Sequence, residues 1–198
     1  IKFLKDALYG NVGASRINRG RVYFTSYSLT GGLRHTISPL SLLNANVGME
    51  ILNYNTGGNT SAMHAGLQFS RRARYVTLNA GYSRELNTAS GVSTIPTLVD
   101  LFYVNTGIRH SVNLSSNFSA NYAINKSTRG NEIDTRSYNL SARLSCLFRT
   151  WLDGNISISH LNQFSETPIS SDTLGYQEVK RIQVIFQLSI YPPSSGRK

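Results

Sequence analysis

Residues Ser111 to Asn125 read SVNLSSNFSANYAIN, and this stretch decides the fold class. Apolar side chains occupy one parity of the stretch, while serine and asparagine occupy the other. Because successive side chains of a β-strand point to opposite faces, the pattern predicts one apolar and one uncharged polar face. A helix would need apolar residues three and four positions apart. The apolar face covers about ten residues, the length that a tilted strand needs to cross a bilayer.

The same alternation recurs along the chain, between tight turns and longer polar connections. Turns are predicted near Pro39, Arg72, His110 and Arg149, and loops over 55–60, 87–97, 126–135 and 165–175. Residues 1–16 are predicted as an uncertain first strand or a short helix, and residues 192–198 as a flexible tail. Counted in this way, residues 1–198 form one domain: an all-β, antiparallel, up-and-down transmembrane β-barrel of about ten strands.

The composition agrees with alternating strands. Charged residues make up 15% of the chain, below the roughly 25% of soluble domains. Hydrophobic residues make up 40%, yet no run approaches the ~18 apolar residues that a membrane helix needs. A low content of charged residues and the lack of a long apolar run are both expected of an alternating barrel, because half of each strand is polar.

The formal net charge of +10 raises the question of nucleic-acid binding. The basic residues are scattered in ones and twos, and the densest group, Arg71, Arg72 and Arg74, falls at a predicted turn. Basic residues at the ends of a barrel suit anionic lipid head groups equally well. We therefore expect outer-membrane lipid and lipopolysaccharide as partners, a protein partner at the loops or turns as a further possibility, and no nucleic acid.

Two other folds also alternate: a soluble antiparallel sandwich or barrel, and a β-solenoid. A soluble protein places charges on its outer face. Here the polar parity carries mainly Ser, Asn, Thr, Gln and Gly, and the strands exceed the usual five or six residues. Both features favour the membrane barrel.

The pattern over residues 21 to 191 resembles the Gram-negative bacterial outer-membrane β-barrel (porin-like) class. This resemblance implies a bacterial outer-membrane location. Members of the class usually finish on a strand with a terminal aromatic residue, and residues 182–190 resemble such a strand. The tail YPPSSGRK after Ile190 departs from that pattern.

The sequence predicts no catalytic residue, no metal site and no cofactor. The four histidines, His35, His64, His110 and His160, stand in neither an HxS nor a DxH pattern. Cys146 is the only cysteine, so no disulfide can form within the chain and no Cys/His metal spacing exists. We therefore expect no enzymatic activity.

Parity assigns side chains to the lumen or to lipid. The lumen-facing candidates are Glu50, His64, Arg143, Asp153 and Arg181. The lipid-facing candidates are Val112, Leu114, Phe118, Tyr122, Val184, Phe186 and Leu188. In a narrow lumen, pairing of these charges across strands is favoured over ion selectivity. Two aromatic girdles are predicted, at Tyr75, Phe148 and Trp151 near the turns and at Tyr54, Phe164 and Tyr176 near the loops.

The leading functional expectation is a small pore or channel component of unspecified solute. Two alternatives stay open. The chain could be a structural or adhesive barrel that binds an external partner through its long loops. It could also be a segment of a larger barrel that serves export or electron transfer.

Overall fold

The computed structural model describes residues 6–19, 22–54, 58–87, 97–127, 134–170 and 173–191. Its elements are β1 Asp6–Arg19, β2 Val22–Ser38, β3 Ser41–Tyr54, β4 Asn59–Arg72, β5 Val76–Asn87, β6 Thr97–Arg109, β7 Leu114–Ser127, β8 Asp134–Arg149, β9 Leu152–Ser170 and β10 Thr173–Ile190. The ten strands form one sheet in sequence order, and each neighbouring pair is antiparallel. The predicted all-β, up-and-down order of ten antiparallel strands is confirmed.

The first predicted element is a strand, because β1 begins at Asp6 and pairs with β2 along its whole length. Residues 1–5 and the predicted tail 192–198 lie outside the described residues. Across the described ranges, no helix is both long and apolar enough to span a membrane.

The sheet has two edges. Within the described residues, β1 pairs only with β2 and β10 pairs only with β9. Strand β1, of 14 residues, and strand β10, of 18 residues, therefore each have one side without a hydrogen-bonded neighbour among the described strands. The described ladders do not close the sheet into a ring.

The predicted loop over 165–175 was wrong. Strand β9 continues to Ser170 and β10 begins at Thr173. Polar residues and Pro168 suggested a loop, but the backbone keeps its ladder, with Ser165 opposite Gln177. The register shifts between Thr173 and Leu174, opposite the proline that cannot donate a ladder hydrogen bond.

The strand predicted from Ser111 begins later, at Leu114. The Ser111 hydroxyl accepts hydrogen bonds from the backbone N–H of Asn113 (3.2 Å) and of Leu114 (3.1 Å). A serine that satisfies the following backbone in this way stabilises a turn rather than a strand. Val112 therefore lies in the turn between β6 and β7. The alternation of side chains along a strand does not apply there, so it does not place Val112 on the lipid-facing side.

The described part of the sheet lacks an apolar core. Leu52 is the only buried hydrophobic side chain among the described residues. Large apolar side chains are exposed on strand after strand, from Val12 (84%) on β1 to Phe186 (74%) on β10. A folded soluble domain buries such side chains, so this sheet gains little stability from its own apolar contacts.

Four glycines let an aromatic ring of a neighbouring strand lie across the backbone. A Cβ at Gly32, Gly48, Gly81 or Gly154 would collide with Tyr9, His64, Tyr103 or Phe148 respectively. Tyr9 crosses Gly32 in this way and donates a hydrogen bond from its hydroxyl to Asn44 Oδ1 on β3, at 3.1 Å. Gly32 thus allows a contact that reaches past the adjacent strand.

Candidate functional site

The polar parity of β5 to β10 borders one cavity of about 490 Å³. Side chains that lie opposite one another in the register form rows across the strands. One such row runs through Asn79, Asn105, Ser119, Ser141 and Ser159. Its members all border the cavity, so the cavity extends across five strands.

The cavity is lined mainly by neutral amides and hydroxyls. Ser119 and Ser141 share a hydrogen bond of 2.6 Å. The side-chain amides of Asn79, Asn105, Asn117 and Asn139 make no side-chain hydrogen bond with any described residue. Amide groups that are not used within the protein are free to bind water or a polar solute.

Arg143 is the one charged side chain among the described residues that line this cavity. It lies opposite Asn117 on β7 and Ser157 on β9. A neighbouring space of about 430 Å³ shares Thr77 and Asn79 with the cavity and extends along β2 to β5 past Arg72. The polar face is therefore continuous from β2 to β10 and carries few charges.

Glu50 and His64, predicted to face the lumen, hydrogen-bond across strands on this polar face. Ser26 donates to Glu50, and His64 Nε2 lies 2.6 Å from Thr30 Oγ1. The His64 ring reaches Thr30 because Gly48 lies between them in the register and has no side chain. Glu50 thus joins β3 to β2, and His64 joins β4 to β2 across β3. Both contacts help to hold the sheet together.

Arg143, Asp153 and Arg181 also have polar-face parity, but they lie apart. The Tyr191 hydroxyl is 3.5 Å from Asp153 Oδ2. The predicted pairing of the lumen charges is not observed, because the ion pairs of the described residues are His35–Asp6, Arg84–Asp100 and Lys180–Glu178. None of the predicted lumen charges therefore has an oppositely charged partner among the described residues.

The apolar parity carries the other predicted set. Phe118 is 50% exposed and Phe186 is 74% exposed, and Tyr122, Val184 and Leu188 are exposed on the same face. Leu114 begins β7 and is half-buried, opposite Cys146. Of the predicted girdle residues, Tyr75, Phe148, Trp151 and Phe164 are exposed, Tyr54 has polar-face parity, and the side chain of Tyr176 lies outside the described residues.

Polar residues interrupt the apolar parity at one end of β5 to β10, and the sequence reasoning missed them. Phe102, Tyr122, Tyr138, Asn162 and Lys180 form one row across five strands. The next row outward contains Asp100, Ile124, Arg136, Phe164 and Glu178. Continuing the alternation to the strand ends would have given these residues the apolar parity, but only the register places them in rows.

Several polar members of these two rows are linked in two groups. Asn162 Nδ2 donates to the Tyr138 hydroxyl at 2.9 Å and to Glu178 Oε1 at 3.0 Å. Lys180 Nζ lies 2.9 Å from Glu178 Oε1. On the neighbouring strands, the Tyr82 hydroxyl donates to Asp100 at 2.6 Å, and the Tyr82 and Phe102 rings lie 4.8 Å apart. The apolar face therefore ends in an aromatic and charged border.

One serine–histidine pair was not visible in the sequence. His110 Nε2 lies 2.8 Å from Ser116 Oγ, but Ser116 is only 6% exposed. Within the described residues no acid or amide contacts the other ring nitrogen of His110, as a hydrolytic triad would require. No group of three His, Cys, Asp or Glu in the described part of the chain could hold a metal ion.

No protein-family model and no curated protein matches this chain.

Proposed function

We propose that this chain is a membrane-spanning sheet of the bacterial outer membrane, whose polar face lines a water-filled path for small solutes. The observation that carries this proposal is the exposed apolar face, with Leu52 as the one buried hydrophobic side chain of the described residues. Monomeric soluble proteins rarely expose apolar patches larger than a few hundred Å². Lipid chains solvate such a face, and water would not.

The accessible surface supports the same conclusion. It amounts to 14199 Å² for a chain of 21.9 kDa. A compact soluble monomer of that mass exposes about 9,300 Å². Such an excess is expected of a single-layer sheet, and no second layer packs against it among the described residues.

The dimensions of the apolar face also fit a membrane. On β8, the apolar parity runs from Tyr138 to Phe148, with an aromatic ring at each end. A strand rises about 3.3 Å per residue, so these two residues lie about 33 Å apart along the strand. At a tilt of about 40°, that length spans about 25 Å along the membrane normal, the height of the apolar band of outer-membrane barrels.

The polar face suits a passive path rather than a strongly charge-selective one. Arg143 and Arg181 are balanced by Glu50 and Asp153 on the assigned parity. Additional arginines, including Arg71, Arg72 and Arg109, lie at the ends of strands near the tight turns. Such charges attract anions to the rim, but at 0.15 M salt they are screened beyond about 8 Å.

We expect reconstituted protein to conduct small ions with a weak preference for anions that decreases as salt rises. Reversal potentials across a KCl gradient in planar bilayers, taken at low and high total salt, measure this preference. Arg143→Gln should lower it, because that side chain lines the cavity. Strong selectivity for cations, or the absence of any conductance from inserted protein, would contradict the pore.

A second candidate is favoured by the two open edges: the sheet supplies part of the wall of a larger barrel. In a bilayer every backbone N–H and C=O must be hydrogen-bonded, so β1 and β10 need partner strands. In this second candidate, β1 and β10 do not pair with each other, and each pairs with a strand from outside this sheet. A larger barrel would also have a wider lumen than ten strands provide.

Cysteine cross-linking separates the two candidates. In a Cys146→Ser background, Val12→Cys on β1 is combined in turn with Ile182→Cys, Val184→Cys and Phe186→Cys on β10. If β1 and β10 pair with each other, one combination should form a disulfide within one chain, because paired strands bring Cα atoms within about 5.5 Å. In a larger barrel no combination should.

The matched control is Val12→Cys with Leu29→Cys, since these residues are register partners on β1 and β2. This pair should oxidise in either barrel. Disulfides between two chains would indicate instead that copies of the sheet join at their edges.

A further inference from the structure

A groove crosses the apolar face near its centre and has a volume of about 420 Å³. Its floor is formed by the small residues Ala120 and Ala142, and larger side chains such as Phe118, Leu140 and Ile158 form its sides. The lining is almost entirely apolar, with His160 at one end. The groove exists because Ala120 lies opposite Leu140, and Ala142 lies opposite Phe118, in the register of β7 and β8.

The end of the groove at His160 meets the aromatic and charged border. Tyr138 is the next apolar-face residue after Leu140 on β8, and Arg136 follows it. The Tyr138 and His160 rings lie 5.8 Å apart. Lys180 lies opposite Asn162, whose amide holds the Tyr138 hydroxyl.

The charges at this end suit a monoanion. Arg136 and Lys180 are the cations on β8 and β10, and Glu178 contacts Lys180. The other acid of these rows, Asp100 on β6, is paired with Arg84 on β5. Asp134 lies further from the groove, at the start of β8. Arg136 is exposed and takes part in no ion pair among the described residues. The Tyr138 hydroxyl accepts its hydrogen bond from Asn162, so its own proton remains free to donate.

We propose that this site binds one phospholipid, with its phosphodiester at Arg136, Tyr138 and Lys180 and an acyl chain in the groove between Ala120 and Ala142. The proposal rests on the membrane placement above. Arg136 and Ala142 are six residues apart on β8, about 20 Å along the strand. At a tilt of about 40°, this is about 15 Å along the normal, half of the hydrocarbon core. The site therefore has the length of one leaflet.

The test counts lipids retained by the protein. Wild-type protein is inserted into vesicles of phosphatidylcholine in which about one lipid in five is phosphatidylglycerol. It is then extracted and examined by native mass spectrometry. We expect one retained phosphatidylglycerol. The double variant Arg136→Gln/Lys180→Gln should bind it at least tenfold more weakly, because charge-assisted hydrogen bonds to the phosphate are lost. Arg181→Gln, next to Lys180 but on the polar face, should bind it as wild type does.

A groove variant tests the acyl chain separately. Ala142→Leu fills the floor with an apolar side chain that a lipid-facing position tolerates, so the protein should insert normally but lose the retained lipid. Unchanged retention in this variant and in the double variant would overturn the site. Removal of the protein from the vesicles by a carbonate wash would instead refute the membrane placement. That outcome tests insertion alone and does not depend on which lipid is bound.

Discussion

Val104→Arg should destabilise the protein in lipid vesicles by about 2–4 kcal/mol, the cost of arginine near the bilayer midplane. Val104 lies on the apolar face of β6, is 45% exposed and borders the central groove. No described carboxylate lies beside it in the register, where its neighbours are Ala80 and Ala120. The new charge would therefore face hydrocarbon without a partner. Urea unfolding of the vesicle-inserted protein measures the change in free energy.

The adjacent residue gives a matched control. Asn105 has polar-face parity, borders the 490 Å³ cavity and has Asn79 and Ser119 as register neighbours. Asn105→Arg should therefore change the free energy of unfolding by about 0.5 kcal/mol or less, as at an ordinary wetted position. If the two variants were equally stable, the apolar face would be in contact with water, and the membrane proposal would fail.

Gly48→Ala should cost about 1–3 kcal/mol, the range for overpacking a well-fitted site. A Cβ at this position would overlap both His64 Nε2 and the backbone carbonyl oxygen of Leu29. The imidazole can move away, but the carbonyl oxygen belongs to the ladder between β2 and β3. The His64–Thr30 hydrogen bond across Gly48 should be lost as well.

Gly31→Ala is the control for this prediction. Nothing lies within 4 Å of a Cβ built at Gly31, and its φ is not positive. Alanine there should be neutral or stabilise by up to about 1 kcal/mol, because it restricts the unfolded chain. Thermal or urea unfolding of both variants gives the comparison. Equal losses in the two variants would show that a general preference for glycine, and not the packing of His64, explains the result.

The alternation of residues was enough to predict the strands and their two faces. Because the side-chain period of a strand is two, Phe118 and Asn117 could be assigned to opposite faces without coordinates. Strand ends were harder to predict. Pro168 and the polar residues around it indicate a loop locally, whereas the backbone of β10 supplies the pairing that keeps them in a strand.

The sites depend on information that parity does not contain. Ala120 and Ala142 are ordinary small residues in the sequence. They line a groove only because the register places Ala120 opposite Leu140 and Ala142 opposite Phe118. Likewise, Asn162 and Lys180 lie in one row because β9 and β10 pair with that offset. A shift of one residue would move each of these side chains to the opposite face. Register, which no single strand specifies, therefore decides both candidate sites.

The lack of an apolar core has a consequence for how the chain reaches its folded state. With Leu52 as the only buried hydrophobic side chain in the described part, hydrophobic collapse in water has no interior to form around. The alternating strands would instead associate through their apolar faces and unpaired edges, which is a route to aggregation. If the membrane proposal holds, we expect such a polypeptide to need chaperones that keep it unfolded until a bilayer is present.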